Sequence, residues 1–243
     1  MSIKITNLKK EYDDVVAVNN LNLEINDGEL FSLLGVNGAG KTTLIKMLAT
    51  LTKPTNGDAY INGYSIITDD AKVKEFIDIS MQETAIARKL TVEENIDFYG
   101  KLNGLSNEEL LENKTYIYNV FGLSEIKNKK AYKLSGGWQR KLSIALALVT
   151  KPNVLFLDEP TLGLDVIARR ELWKTIKSLK GNMTIILTTH YMEEAQELSD
   201  RIGIMKDGNL LFVGEKEKLY QLTNKNNVEE AFIHIVSGGE LDE

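Results

Sequence analysis

Residues 35–43 run Gly35-Val36-Asn37-Gly38-Ala39-Gly40-Lys41-Thr42-Thr43, and they satisfy the spacing G-x-x-x-x-G-K-[ST]. Glycines in these places let backbone N–H groups turn inward on a phosphate chain, and a helix beginning near Lys41 adds the positive end of its dipole. Gly35, Asn37, Gly38, Ala39, Gly40 and Thr43 form the cradle. Lys41 reaches the β- and γ-phosphates, and Thr42 offers a hydroxyl to Mg²⁺. A glycine-rich turn also serves as plain connection between a strand and a helix. Here the apolar run Leu30-Phe31-Ser32-Leu33-Leu34 supplies the strand ahead of the loop, which favours phosphate binding.

The chain of 243 residues suits one large domain with an insertion. Its 43% hydrophobic and 26% charged content are those of a globular protein. A net charge of −6 argues against broad electrostatic binding to nucleic acid, so no nucleic-acid partner is expected. With no cysteine there is no disulfide or cysteine-ligated metal. No stretch reaches the roughly 20 apolar residues of a membrane span, and the N-terminus lacks a signal-peptide core, so a cytoplasmic location is expected.

Outward from the loop, residues 3–33 alternate as strands, with Ile3 and Ile5, Val16 and Val18, then Leu21, Leu23 and Ile25, broken at Asp13-Asp14 and Asp27-Gly28. An antiparallel element is expected, with Tyr12 in its turn region, as a half-buried surface ring or as a platform for a flat base. Tyr60-Ile61 leads to an Asn62-Gly63 turn. A strand near Phe76 to Ser80 ends at Gln82, whose carboxamide suits Mg²⁺ coordination or the orientation of water.

From about Glu83 to Lys133 helix signals dominate. Thr91 with Glu94 and Ser106 with Glu109 have capping-box spacing. Lys127 to Lys130 reads as a solvated edge. Leu134-Ser135-Gly136-Gly137 then opens a strongly helical stretch and makes a second anion-binding end, or a simple N-cap.

Val154-Leu155-Phe156-Leu157 runs into Asp158 and Glu159. A continuous apolar run fits a strand of a parallel sheet, and ligands bind at the carboxyl ends of such strands. Asp158 is placed to hold Mg²⁺, and Glu159 to take a proton from attacking water. A further buried strand, Met183 to Thr188, brings His190 to the same end. His234, among apolar residues of a helical tail, is assigned to packing.

In this order the motifs resemble the nucleotide-binding subunits of ABC transporters: Gly35–Thr43 as Walker A, Gln82 as the Q-loop, Leu134–Gly137 as the signature, Val154–Glu159 as Walker B, Thr161–Asp165 as the D-loop and Thr189-His190 as the H-loop. Tyr12 falls where the family places its adenine-stacking aromatic. The resemblance implies an α/β fold: a P-loop NTPase core with a mainly parallel sheet, an N-terminal antiparallel β element and a helical insertion. The chain divides into a RecA-like core (1–82 and 134–214), a helical subdomain (83–133) and a helical tail (215–243).

The resemblance further implies a Mg-dependent ATPase with ATP as ligand, Glu159, His190, Lys41 and Gln82 as catalytic residues, and Thr42, Gln82 and Asp158 at the metal. Two identical or paralogous cassettes would face head to tail, with Ser135, Gly136, Gly137 and Asp165 contacting nucleotide across the interface. A separate permease would be touched by the insertion, for which Ile86, Phe98 and Tyr99 are candidates, although each also suits the insertion's core. The protein would then sit on the inner face of the membrane through that permease. The EPT-x-GLD stretch, the T-T-H-Y-M-E-E-A stretch and Glu229-Glu230-Ala231-Phe232 are similar to the bacterial drug and antibiotic export branch. One departure stands out: the usual signature glutamine is Trp138 here.

Overall fold

The computed structural model describes residues 2–239. Its strands are β1 (Ile3–Tyr12), β2 (Val15–Ile25), β3 (Leu30–Leu34), β4 (Asn56–Ile61), β5 (Tyr64–Ser65), β6 (Ile77–Ser80), β7 (Val154–Asp158), β8 (Thr184–Thr189), β9 (Arg201–Lys206) and β10 (Asn209–Gly214). They fall into two sheets, ordered β2-β1-β4-β5 and β10-β9-β3-β8-β7-β6.

The first sheet is antiparallel, as the alternation at the N-terminus requires. Asp13 turns its first hairpin with φ of 48°, and Asn62 and Gly63, with φ of 50° and 85°, turn β4 into β5. Ile3, Ile5, Leu21, Leu23 and Ile25 are buried. Val16 does not share a face with Val18: the register shifts between Lys10 opposite Val18 and Glu11 opposite Val16, so a bulge at Ala17 leaves Val16 exposed.

In the second sheet β3, β7 and β8 are buried at every position, which explains why apolar residues run consecutively in them rather than alternating with charged ones. Apart from β10, which returns antiparallel beside β9, neighbours run parallel. Successive residues serve opposite faces. Phe31 and Leu33 pack toward the antiparallel sheet with Phe156 and Ile186, while Leu30, Leu155, Leu157 and Ile185 pack toward the helices of the other face. Each such side chain fully buried contributes roughly 1.5–3 kcal/mol of transfer free energy.

The helices are α1 (Lys41–Leu48), α2 (Asp70–Val73), α3 (Val92–Leu102), α4 (Asn107–Phe121), α5 (Gly136–Ala147), α6 (Val166–Leu179), α7 (Met192–Leu198), α8 (Lys216–Thr223) and α9 (Val228–Val236). Both expected capping boxes form, at Thr91 with Glu94 and Ser106 with Glu109. Helices α3 and α4 share one apolar cluster with α5, α6 and the strands. The three candidates for contact with a permease differ in their packing. Ile86 and Tyr99 lean on this cluster, and the Tyr99 hydroxyl donates to Asp78 Oδ1 at 3.1 Å, whereas Phe98 stays 56% exposed. The helical tail is α8 and α9, with Ala231 and Phe232 buried; its residues 240–243 lie outside the described residues. Among the described residues no helix is long and apolar enough to cross a membrane.

Candidate active site

The carboxyl ends of β3, β7 and β8 lie side by side, and each carries one part of the site. The loop after β3 closes on α1, whose first turn holds no acidic side chain, so its N-terminal dipole is left for an exogenous anion. Gly40, with φ of 102°, is fixed by space as well as backbone: a Cβ there would stand 2.1 Å from the Ala17 carbonyl oxygen. At Gly38, φ 84°, a Cβ would meet nothing of the protein, leaving open the approach to the loop's amides. The Ala39 carbonyl accepts from Gly208 N, and Gly35 N donates to Thr189 O, which ties the loop to β8.

A cleft of about 390 Å³ opens over this loop, lined by Gly38, Ala39, Gly40, Lys41, Thr42 and Thr43 and walled by β2 and Asp207. The wall residues Val15, Val16 and Ala17 were not expected here. They are presented by the bulge, for which residue alternation gives no signal. Tyr12 pairs with Val15 at the rim, is exposed, and has the Lys10 ammonium 4.8 Å from its ring centroid.

Lys41, Thr42, Asp158, Glu159 and His190 are brought together. The Lys41 ammonium donates to the carbonyls of Gly35 (2.7 Å) and Val36 (3.2 Å) and lies 3.4 Å from Glu159 Oε1. Thr42 Oγ1 is 3.1 Å from both carboxylate oxygens of Asp158, and Thr188 Oγ1 donates to Asp158 Oδ1 at 2.6 Å. A hydroxyl and a fully buried carboxylate at the foot of a phosphate cleft form a hard oxygen donor set that fits Mg²⁺. Glu159 Oε2 is 2.7 Å from His190 Nδ1, and the half-buried imidazole packs on Tyr191.

Gln82 is not brought into this cluster by a side-chain contact: it is exposed, and its carbonyl accepts from Arg140 at 3.2 Å. Asp165 caps α6, accepting from the amides of Ile167 and Ala168 at 2.9 Å each. Ser135, Gly136 and Gly137 stand at the exposed start of α5, outside the cleft lining. Ser135 occupies the N-cap yet makes no side-chain capping bond, so its hydroxyl is uncommitted, and a Cβ at Gly136 would meet nothing.

Two buried groups escaped the sequence. Arg140 threads its guanidinium between the ends of β6 and β7, and burial brings its pKa down to about 10. Glu194 Oε1 accepts from Thr161 Oγ1 (2.8 Å) and Trp173 Nε1 (2.9 Å), and burial raises its carboxyl above the usual carboxylate range.

A phosphate loop, a hydroxyl and carboxylate fit for a divalent cation, and a glutamate paired with histidine define a nucleoside triphosphate hydrolase on a P-loop α/β fold. Residues 18–162 match the ABC transporter family, and the chain belongs to that family as one of its ATPase cassettes. It is 39% identical over 218 residues to the linearmycin resistance ATP-binding protein LnrL of Bacillus subtilis, covering 89% of this chain and 70% of LnrL. It is 43% identical over 223 residues to the phospholipid-transporting ATPase ABCA3 of Homo sapiens, which covers 90% of this chain but spans only 13% of ABCA3. A dimeric ATP-binding cassette solved in a post-hydrolysis state with ADP and Pi superposes with a TM-score of 0.77 at 28% identity, over 88% of this chain and 98% of that one.

Proposed function

We propose that this cassette hydrolyses Mg-ATP in a head-to-tail pair and that the cycle drives export through a separate membrane subunit. The observation that carries the pairing is the uncommitted anion-binding end at Ser135 and Gly136. It is built and exposed, but it does not line its own chain's nucleotide cleft. A second copy, or a paralogue, facing it would bring its γ-phosphate to that end, with Asp165 at the same seam. The solved dimeric relative supports this arrangement.

Within each site the loop amides and Lys41 hold the phosphates, and the adenine lies against the rim of Tyr12, Val15 and Val16. Thr42, Asp158 and Gln82 would hold Mg²⁺, which would supply positive charge against the phosphates. Glu159 accepts a proton from water as the water oxygen bonds to the γ-phosphorus. The bond to the bridging oxygen breaks, and ADP leaves with that electron pair. His190 fixes the carboxylate and stabilises the negative charge gathering on the γ-phosphate.

Export is supported by LnrL, named for antibiotic resistance, and by ABCA3, named for phospholipid transport. The exposed Phe98, on the helical insertion, is the residue kept for contact with the permease, which would hold the cassette at the inner face of the membrane. To test the assembly, the tagged protein is recovered from gently solubilised membranes of its own cell. A multi-spanning protein in near equal amount is expected; recovery only with ribosomes, DNA or a soluble assembly complex would contradict a transport role.

A further inference from the structure

We infer that Arg140 is a positioning residue for Glu159, holding the strained turn that aims the carboxylate and tying that turn to the loop bearing Gln82. This rests on the hydrolytic role proposed above for Glu159. Glu159 follows the last residue of β7 with φ of 48°, a left-handed backbone that a non-glycine residue keeps only where its surroundings over-determine it. Its own amide donates to Thr188 O and Thr188 Oγ1, both at 3.1 Å. The carbonyls of the two residues that flank Glu159 are held by one guanidinium: Arg140 Nη2 donates to Asp158 O at 2.8 Å, and Nε donates to Pro160 O at 2.7 Å.

The third arm, Nη1, donates to the carbonyls of Met81 and Gln82. Arg140 thus ties α5 to two distant segments through their main-chain oxygens. Asp158, Glu194 and Glu159 lie near enough to favour its charge, but the described hydrogen bonds of the guanidinium go to carbonyls rather than to those carboxylates. A planar fork suits several carbonyls held at fixed angles; an ammonium supplies equal charge without that geometry. Arg140 also belongs to α5, the helix that begins at Gly136, so a pull on that helix end reaches the Glu159 turn through a rigid element.

The test uses the full chain with substitutions Arg140→Lys, Arg140→Gln, Gln82→Ala and Glu159→Gln, and the double variant Arg140→Lys with Gln82→Ala. Steady-state phosphate release gives kcat, and a fluorescent ATP analogue gives Kd. For Arg140→Lys the expected result is a kcat lowered by about thirtyfold or more with Kd within about threefold, and for the double variant a loss smaller than the product of the single losses. Arg140→Gln is expected to show the same split, which keeps the test open should one of the pair fail to fold. A kcat near wild type in Arg140→Lys beside an inactive Glu159→Gln would overturn the inference alone. So would kcat and Kd worsening in step, or losses that multiply. Full turnover in Glu159→Gln would instead remove the role of Glu159, and this inference with it.

Discussion

Glu159 and His190 are joined end to end, with Oε2 2.7 Å from Nδ1, while the other carboxylate oxygen faces the Lys41 ammonium at 3.4 Å. The carboxylate is 7% exposed and is therefore aimed by these two partners rather than by solvent. His190→Ala is predicted to lower kcat by about 10²-fold or more while ATP affinity stays within about threefold, because the imidazole holds the proton acceptor and acts on the γ-phosphate only as charge gathers there, outside the loop that binds the nucleotide. Phosphate release and nucleotide titration on the same preparation check the split.

Gly40 and Gly38 separate the needs of the fold from those of the ligand. A Cβ at Gly40 would strike the Ala17 carbonyl at 2.1 Å and the Met205 methyl at 2.8 Å, so Gly40→Ala is predicted to cost more than about 3 kcal/mol of stability as well as nucleotide binding. At Gly38 a Cβ meets nothing within 4 Å, so Gly38→Ala should cost only about 1 kcal/mol, from its φ of 84°, yet still weaken ATP binding. Thermal unfolding and nucleotide titration of the two variants would show the contrast.

Asp78, in β6 beneath Tyr99 and Thr150, has its pKa pushed up to about 6 from an ordinary 3.8, chiefly by burial. Between about pH 4 and 6 the folded state therefore keeps a proton that the unfolded chain has lost, and stability falls as pH rises through that window. Asp78→Asn is predicted to be more stable than wild type by about 1–3 kcal/mol at pH 7, with the difference vanishing below pH 4. Denaturant midpoints across that range would check the sign.

Trp138 packs beside the helical core with the Lys141 ammonium 4.6 Å from its ring centroid, and the same ammonium is paired with Glu171 at 2.9 Å. Trp138→Gln is predicted to lose about 1–2 kcal/mol of stability and to keep hydrolysis within about threefold, since Ser135, Gly136 and Gly137 are unchanged. A tenfold change in turnover would assign Trp138 a part in the grip itself.

The strands and acids of the site were legible because each is written in adjacent residues: an apolar run, then Asp158 and Glu159; a glycine loop, then Lys41 and Thr42. Arg140 was not, because Trp138-Gln139-Arg140-Lys141 reads as the polar side of a helix, and its partners come from two distant segments. Val16 was misplaced because a one-residue bulge reverses facing without changing composition. The idle hydroxyl of Ser135 was hidden for a related reason: a serine before a helix predicts a cap, and only the folded backbone shows that it makes none.

The head-to-tail pairing is tested most directly by sedimentation of the Glu159→Gln variant with Mg-ATP and with Mg-ADP. Hydrolysis-blocked chains whose Ser135 ends grip the opposing γ-phosphate should run as dimers in saturating ATP and as monomers in ADP, and Ser135→Arg introduced into that variant should abolish the dimer while leaving each chain able to bind nucleotide. A monomer in saturating ATP, or a dimer indifferent to which nucleotide is bound, would contradict it.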